Sequence, residues 1–387
     1  MIEQHQGTNG QARESELWAR MALGMQTGDL PSLRATLDAL ERVRAGDSAR
    51  WPRREARDLL APLPPMNWLV EALDFAPGGP PAMIAGYGYS GKTAAAQALA
   101  IAVAGGVPLW GRWPVRRGRV LHLDYEQGFR LTAERYQRLA RAADLTVEDL
   151  RGRLEVVCYP PTYIDGTGAE DAFARELDGH DLVIVDSFRA AAPSTDENDS
   201  MARLPLDMLA RVSERSGCLA LVLHHSRKPQ HERGSSHLDT RGSSALFDAL
   251  SAELMFSAAK GQPTRVELVK AKWTGRQLAP FVLRIEDVSD GADPRGGMRV
   301  TVEDADAADE KARQTELDAV TSVVLEVVRA NPGTNTRTVC ELAHRRHGSV
   351  VAALGVLERA GAVRDLSVRG RGAKWYPAPG NHKNPDA

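Results

Sequence analysis

Eight consecutive residues, Gly86-Tyr87-Gly88-Tyr89-Ser90-Gly91-Lys92-Thr93, have the types and spacing needed to hold a polyphosphate. They fit GxxxxGK[ST] without departure, after an apolar run and before an Ala-rich one, which is the strand–loop–helix context the pattern requires. Glycines let backbone amides curl around phosphate oxygens. The expected nucleotide-binding set is therefore Gly86, Gly88, Tyr89, Ser90, Gly91, Lys92 and Thr93, with Lys92 reaching the β- and γ-phosphates and Thr93 binding Mg²⁺. The same glycines satisfy the GxGxxG of dinucleotide sites, but the Lys-Thr pair after the last glycine favours ATP with Mg²⁺.

Two further segments end in acids. Asp181-Leu182-Val183-Ile184-Val185-Asp186 is apolar until its last residue. A carboxylate at the carboxyl end of a parallel strand faces the ligand crevice, so Asp186 is expected to hold the metal through water, opposite Thr93. The residue after it is Ser187, so a general base does not stand beside the metal aspartate. Val120-Leu121-His122-Leu123-Asp124-Tyr125-Glu126 supplies candidates. Glu126 fits the need to orient an attacking water, with Asp124 as its rival.

These residues need a sheet to carry them. Apolar runs at 82–85, 119–124, 154–157, 182–186 and 219–224 predict strands of a mainly parallel sheet buried on both faces, in an α/β domain. Later strands are expected at 252–257, 264–270, 281–286 and 299–302. The chain divides into an N-terminal helical region (1–61) whose first 13 residues read as disordered, the ATPase domain (62–303) behind a Pro-rich boundary, an acidic linker (304–312), a C-terminal module (313–378) and a disordered tail (379–387).

The ordering of these motifs resembles the RecA-like P-loop ATPases, and within them the RepA-type and DnaB-like hexameric helicases. The resemblance spans about residues 62–290 and rests on Asp186-Ser187-Phe188-Arg189, Asp196-Glu197-Asn198-Asp199-Ser200, Leu223-His224-His225-Ser226-Arg227-Lys228, Arg241-Gly242-Ser243-Ser244-Ala245-Leu246 and Met66-Asn67-Trp68-Leu69-Val70. It implies a hexameric, DNA-dependent motor in replication or recombination, with partner proteins of those processes. It also implies His224 as the polar sensor of the γ-phosphate, with His225 packing or capping, and single-stranded DNA contacts near Arg189 and Arg241. Where RepA-type helicases offer an arginine to the neighbouring subunit, this chain has Ser251. Lys270-Ala271-Lys272 instead resembles the basic pair of DnaB-like and circadian-clock-type relatives, so Lys270 or Lys272 would act in trans. Lysine is a point charge and not a bidentate fork, which favours slower turnover.

Beyond the linker, amphipathic runs at 316–329, 336–344 and 349–360, then a glycine-tipped hairpin at 363–376, predict a winged helix-turn-helix. Arg345 and Arg346 precede its recognition helix, and Arg369, Arg371 and Lys374 sit on its wing, a local basic patch suited to duplex DNA. The competing reading is an ATP-switched DNA-binding regulator or loader of a mobile element or phage that unwinds nothing.

Bulk composition restricts the rest. The chain of 387 residues has 43% hydrophobic residues and a net charge of −2, so a nucleic-acid surface must be local. Three scattered cysteines predict neither a disulfide framework nor a zinc site. A polar start without an apolar stretch argues against a signal peptide, and no apolar run approaches the roughly 20 residues of a membrane span. A cytoplasmic protein without a membrane partner is expected.

Overall fold

The computed structural model describes residues 6–27, 33–34, 36–37, 40, 53–226, 244–258, 263–289, 296–367 and 372–378. The apolar runs form a nine-stranded sheet in the order β3-β2-β4-β5-β1-β6-β7-β8-β9. The strands are β1 (Ala82–Gly86), β2 (Val120–Asp124), β3 (Leu154–Cys158), β4 (Leu182–Asp186), β5 (Leu219–His225), β6 (Ala252–Ser257), β7 (Thr264–Ala271), β8 (Phe281–Val288) and β9 (Gly297–Asp304). β3, β2, β4, β5, β1 and β6 run parallel, and β7, β8 and β9 continue the sheet antiparallel.

The parallel strands read as unbroken apolar runs because both faces are covered. On one face lie α1 (Lys92–Gly105) and α2 (Phe129–Ala142); on the other lie α3 (Ala169–Leu177) and α4 (Leu204–Ser216). Side chains alternate between the two cores with the two-residue period of a strand. Ala82, Ile84, Val120, Leu182, Ile184, Leu219, Leu221 and Leu223 meet α1, whereas Met83, Ala85, Leu121, Leu123, Val183, Val185, Ala220 and Val222 meet α3 and α4. Trp110, Trp113 and Phe281 form an edge-to-face cluster, and Trp110 Nε1 donates to the Ala95 carbonyl (3.2 Å), which ties α1 to the antiparallel half.

Two expectations about the flanks change. Residues 6–13, read as disordered, belong to a helix Gln6–Thr27. Good helix formers at Ala12, Arg13, Glu14, Glu16 and Leu17 propagate it, assisted by an Arg20–Glu16 pair one turn apart (3.7 Å). The acidic stretch read as a linker opens a 26-residue helix, α5 (Ala305–Ala330). Alanines favour the helix and early acids complement its amino-terminal dipole. Ala305 and Ala308 are buried against Val282 of β8, so α5 starts packed on the sheet.

The far end of α5 joins α6 (Thr336–Ala343), α7 (His347–Arg359) and the antiparallel pair β10 (Val363–Asp365) and β11 (Trp375–Pro377) around Val324, Val328, Leu354, Leu357, Val363 and Trp375. Trp375 Nε1 donates to Thr336 Oγ1 (3.0 Å), closing the hairpin onto α6. The three cysteines are free. No helix among the described residues is long and apolar enough to cross a membrane.

Candidate active site

The carboxyl ends of β1, β2, β4 and β5 bring the chemistry together. β1 ends at Gly86, where an added Cβ would lie 2.5 Å from the Phe256 carbonyl, so the loop that follows must start on glycine. Gly91 has φ +80°, and Tyr89 also holds a left-handed φ of +67° with its ring in solvent. Ser90 is buried, and its carbonyl accepts from Thr264 Oγ1 (3.0 Å). Tyr87 Oη donates to the Ala258 carbonyl, which fastens the loop to the end of β6.

Lys92, at the first position of α1, is 6% exposed. Its Nζ donates to the carbonyls of Gly86 (2.7 Å) and Tyr87 (3.1 Å) inside its own loop. Burial draws it down to about 8, against the attraction of Asp186 and Glu126. The Thr93 hydroxyl lies beside the carboxylate of Asp186, which ends β4. Burial raises Asp186 to about 6; the Thr93 hydroxyl opposes this while Glu126 and Asp124 add to it. A hydroxyl and a carboxylate side by side are hard oxygen donors that fit a divalent cation. Among the described residues no cluster of three or more His, Cys, Asp or Glu side chains forms a protein-only metal cage.

The two acids ending β2 are used differently. Asp124 is buried and accepts from the amides of Glu126 (3.0 Å), Gln127 (2.8 Å) and Gly128 (3.1 Å) and from the Thr132 hydroxyl. Burial pushes it up, but the bonds from Gln127, Thr132 and Glu126 hold it below the ordinary carboxylate range. Asp124 thus shapes the turn into α2. Glu126 stands free of that turn; its Oε1 accepts from Ser187 Oγ and lies 3.6 Å from His225 Nε2. The His225 contact, then Ser187 and Lys92, hold Glu126 low against the cost of burial.

His224, expected as the sensor, does not face this cluster. It is 0% exposed and packs edge-to-face on Phe188 (5.7 Å), beneath the opposite face of the sheet. Strand alternation is the reason: on β5, residues 219, 221 and 223 face α1, so 225 does as well and 224 does not. Counting back from Asp186 on β4, whose 182 and 184 face α1, would have shown which histidine shares its face. Sequence reasoning also missed Arg135 on α2, which donates to Gln127 Oε1 (2.8 Å) and Gln97 Oε1 (3.1 Å) behind the acids.

The remaining expected residues lie elsewhere. Arg189 is exposed after β4 and donates to the Thr195 carbonyl (3.0 Å). Lys270 donates to the Phe247 carbonyl with its ammonium 4.5 Å from the Phe247 ring centre, and Lys272 is exposed. Both sit where β7 pairs with the first residues of β6, at the sheet edge opposite the phosphate loop. Arg345, Arg346 and Lys374 are exposed on the C-terminal module. Arg241, Arg369 and Arg371 lie outside the described residues, as do the loop at 228–240 and the tail at 379–387.

Residues 46–231 match the AAA domain family. A solved structure titled "Crystal structure of the RadB recombinase" aligns with 17% identity and a TM-score of 0.41, over 61% of this chain and 95% of that one. No curated protein matches the chain. The central part of the chain is thus a mixed α/β domain with a largely parallel sheet and a phosphate-loop motif, similar over residues 46–231 to the AAA domain family.

Proposed function

We propose that this chain is an ATP-hydrolysing switch that acts on DNA, a regulator or loader whose ATPase cycle resets a DNA-bound state. The observation that carries it is the convergence of Lys92, Thr93, Asp186 and Glu126 at the carboxyl edge of one sheet. In this reading Lys92 exchanges its two loop carbonyls for β- and γ-phosphate oxygens. Glu126, ionised and held by Ser187, orients a water and takes its proton. The water oxygen bonds to the γ-phosphorus as the bond to the bridging oxygen breaks, giving ADP and phosphate. Mg²⁺, held by Thr93 and Asp186, supplies charge neutralisation on the phosphate oxygens when bound.

DNA contact is assigned to the C-terminal module, read as a winged helix-turn-helix with α7 as its recognition helix. Support comes from exposed Arg345, Arg346, Arg364 and Lys374 around α7 and the hairpin, on a chain with no global basic excess. The test is phosphate release by wild type and Glu126→Gln, each without DNA, with single strands and with duplex. Slow wild-type turnover indifferent to single strands, lost in the variant while ATP-analogue binding persists, supports the switch. Unchanged turnover in Glu126→Gln overturns the assignment of the base.

A hexameric, DNA-dependent motor is the second reading. Lys270 and Lys272 favour it, because a cation at the edge opposite the phosphate loop reaches a nucleotide only on a neighbouring subunit. Strong stimulation of turnover by single strands, lost in Lys272→Ala and accompanied by rings in electron micrographs, would move the assignment to that reading.

A further inference from the structure

Two buried polar side chains lie directly behind the acidic centre and take no part in the reaction above. His122 is on β2, two residues before Asp124 and on the same face, and is 1% exposed. Its Nδ1 is 3.0 Å from the hydroxyl of Tyr136 on α2, with the rings edge-to-face at 5.9 Å. Its Nε2 points at Asp186 Oδ2 from 3.9 Å. Neither of those two facing atoms has a hydrogen-bond partner among the described residues.

A core position needs no such groups. An imidazole and a phenol are costly to bury unless their polar atoms are used, and a phenylalanine pair would fill the space without that cost. The protonation pattern follows from the partners. The ring is enclosed, with the Tyr136 hydroxyl at one nitrogen and a carboxylate facing the other, so each nitrogen has one role to fill. A carboxylate oxygen facing the ring is an acceptor, so the ring N–H belongs on Nε2. Nδ1 is then an acceptor, and Tyr136 must donate to it. At 3.9 Å the Nε2–Oδ2 approach is longer than a hydrogen bond, and a small rotation of the carboxylate closes it.

We propose that Tyr136 and His122 are a positioning pair that aims the Asp186 carboxylate for its divalent cation: Tyr136 selects the tautomer, and His122 presents Nε2–H to Oδ2 from behind. The inference rests on the reading of Asp186 as the residue that holds Mg²⁺. Partners behind a metal-binding carboxylate typically change metal affinity about 10-fold or more when removed.

The test is equilibrium binding of a fluorescent ATP analogue to the full chain, titrated with MgCl₂ and repeated in EDTA. Tyr136→Phe removes one oxygen and keeps the ring; His122→Leu removes the donor; His122→Gln keeps an amide donor directed at Asp186. The first two are expected to raise the Mg²⁺ concentration at half-maximal effect by roughly 10-fold, with EDTA binding little changed, and His122→Gln to recover most of the loss. Mg²⁺ midpoints within about twofold of wild type in Tyr136→Phe and His122→Leu would overturn the pair's role. So would losses that are equal in EDTA and not relieved by His122→Gln, which mark packing alone. A wild type whose analogue binding ignores Mg²⁺ would overturn the cation role of Asp186 itself, and the pair with it.

Discussion

Glu126 and Asp124 are two residues apart and chemically alike, yet their surroundings separate them. Asp124 spends both oxygens on its own turn, so Asp124→Asn is expected to lower the melting temperature first and turnover only as a consequence. Glu126→Gln should leave melting and analogue binding near wild type and slow turnover by about 10²–10⁴-fold, the range for removing a positioned acid–base group. The two histidines that follow make a similar contrast. His225→Ala is expected to reduce turnover because it faces Glu126, whereas His224→Ala leaves a hole in the core and should cost about 1–3 kcal/mol by denaturant melts. Equal effects of the two substitutions on turnover would contradict the assignment by face.

The phosphate loop is an element built against its neighbours as much as for its ligand. A methyl on Gly86 would meet the Phe256 carbonyl at 2.5 Å, and backbone of a central strand does not give way as a side chain does. Gly86→Ala is therefore expected to lower stability and nucleotide affinity together, measured by melting with and without ATP analogue. In the C-terminal module the stabilising element is α5, whose start belongs to the sheet and whose end belongs to a separate core. Leu354→Ala should cost about 2–5 kcal/mol in that core. Two unfolding transitions, with the variant moving only one, would show that the module melts on its own.

At the scale of the whole molecule, catalysis and DNA contact are assigned to separate parts of the chain joined through α5. Removal of residues 313–387 is expected to abolish duplex binding in an anisotropy titration while basal ATP hydrolysis persists. Retained duplex binding would place the DNA contact on the ATPase domain and argue against the switch. Assembly is a property of the same scale: Lys270 near the end of β7 and Lys272 just after it lie at the end of the sheet away from the phosphate loop, so a role for them at a nucleotide requires a second copy of the chain.

The phosphate-loop motif, the strand that ends at Asp186 and the strand–helix alternation were legible in the sequence, because a loop of glycines before Lys-Thr and an apolar run ending in an acid express local backbone requirements. The three helices and hairpin of the C-terminal module were legible through their hydrophobic period for the same reason. The start of α5 was misread because acidic composition does not distinguish a solvated linker from a helix's first turn. Which of Asp124 and Glu126 is spent on the turn after β2, which histidine of β5 shares the face of Asp186, and what stands behind Asp186 were decided only by the tertiary structure. Those outcomes depend on strand order and on which helix covers which face. Non-local packing sets both, and it converts a two-residue alternation into one side chain at the site and its neighbour in the opposite core.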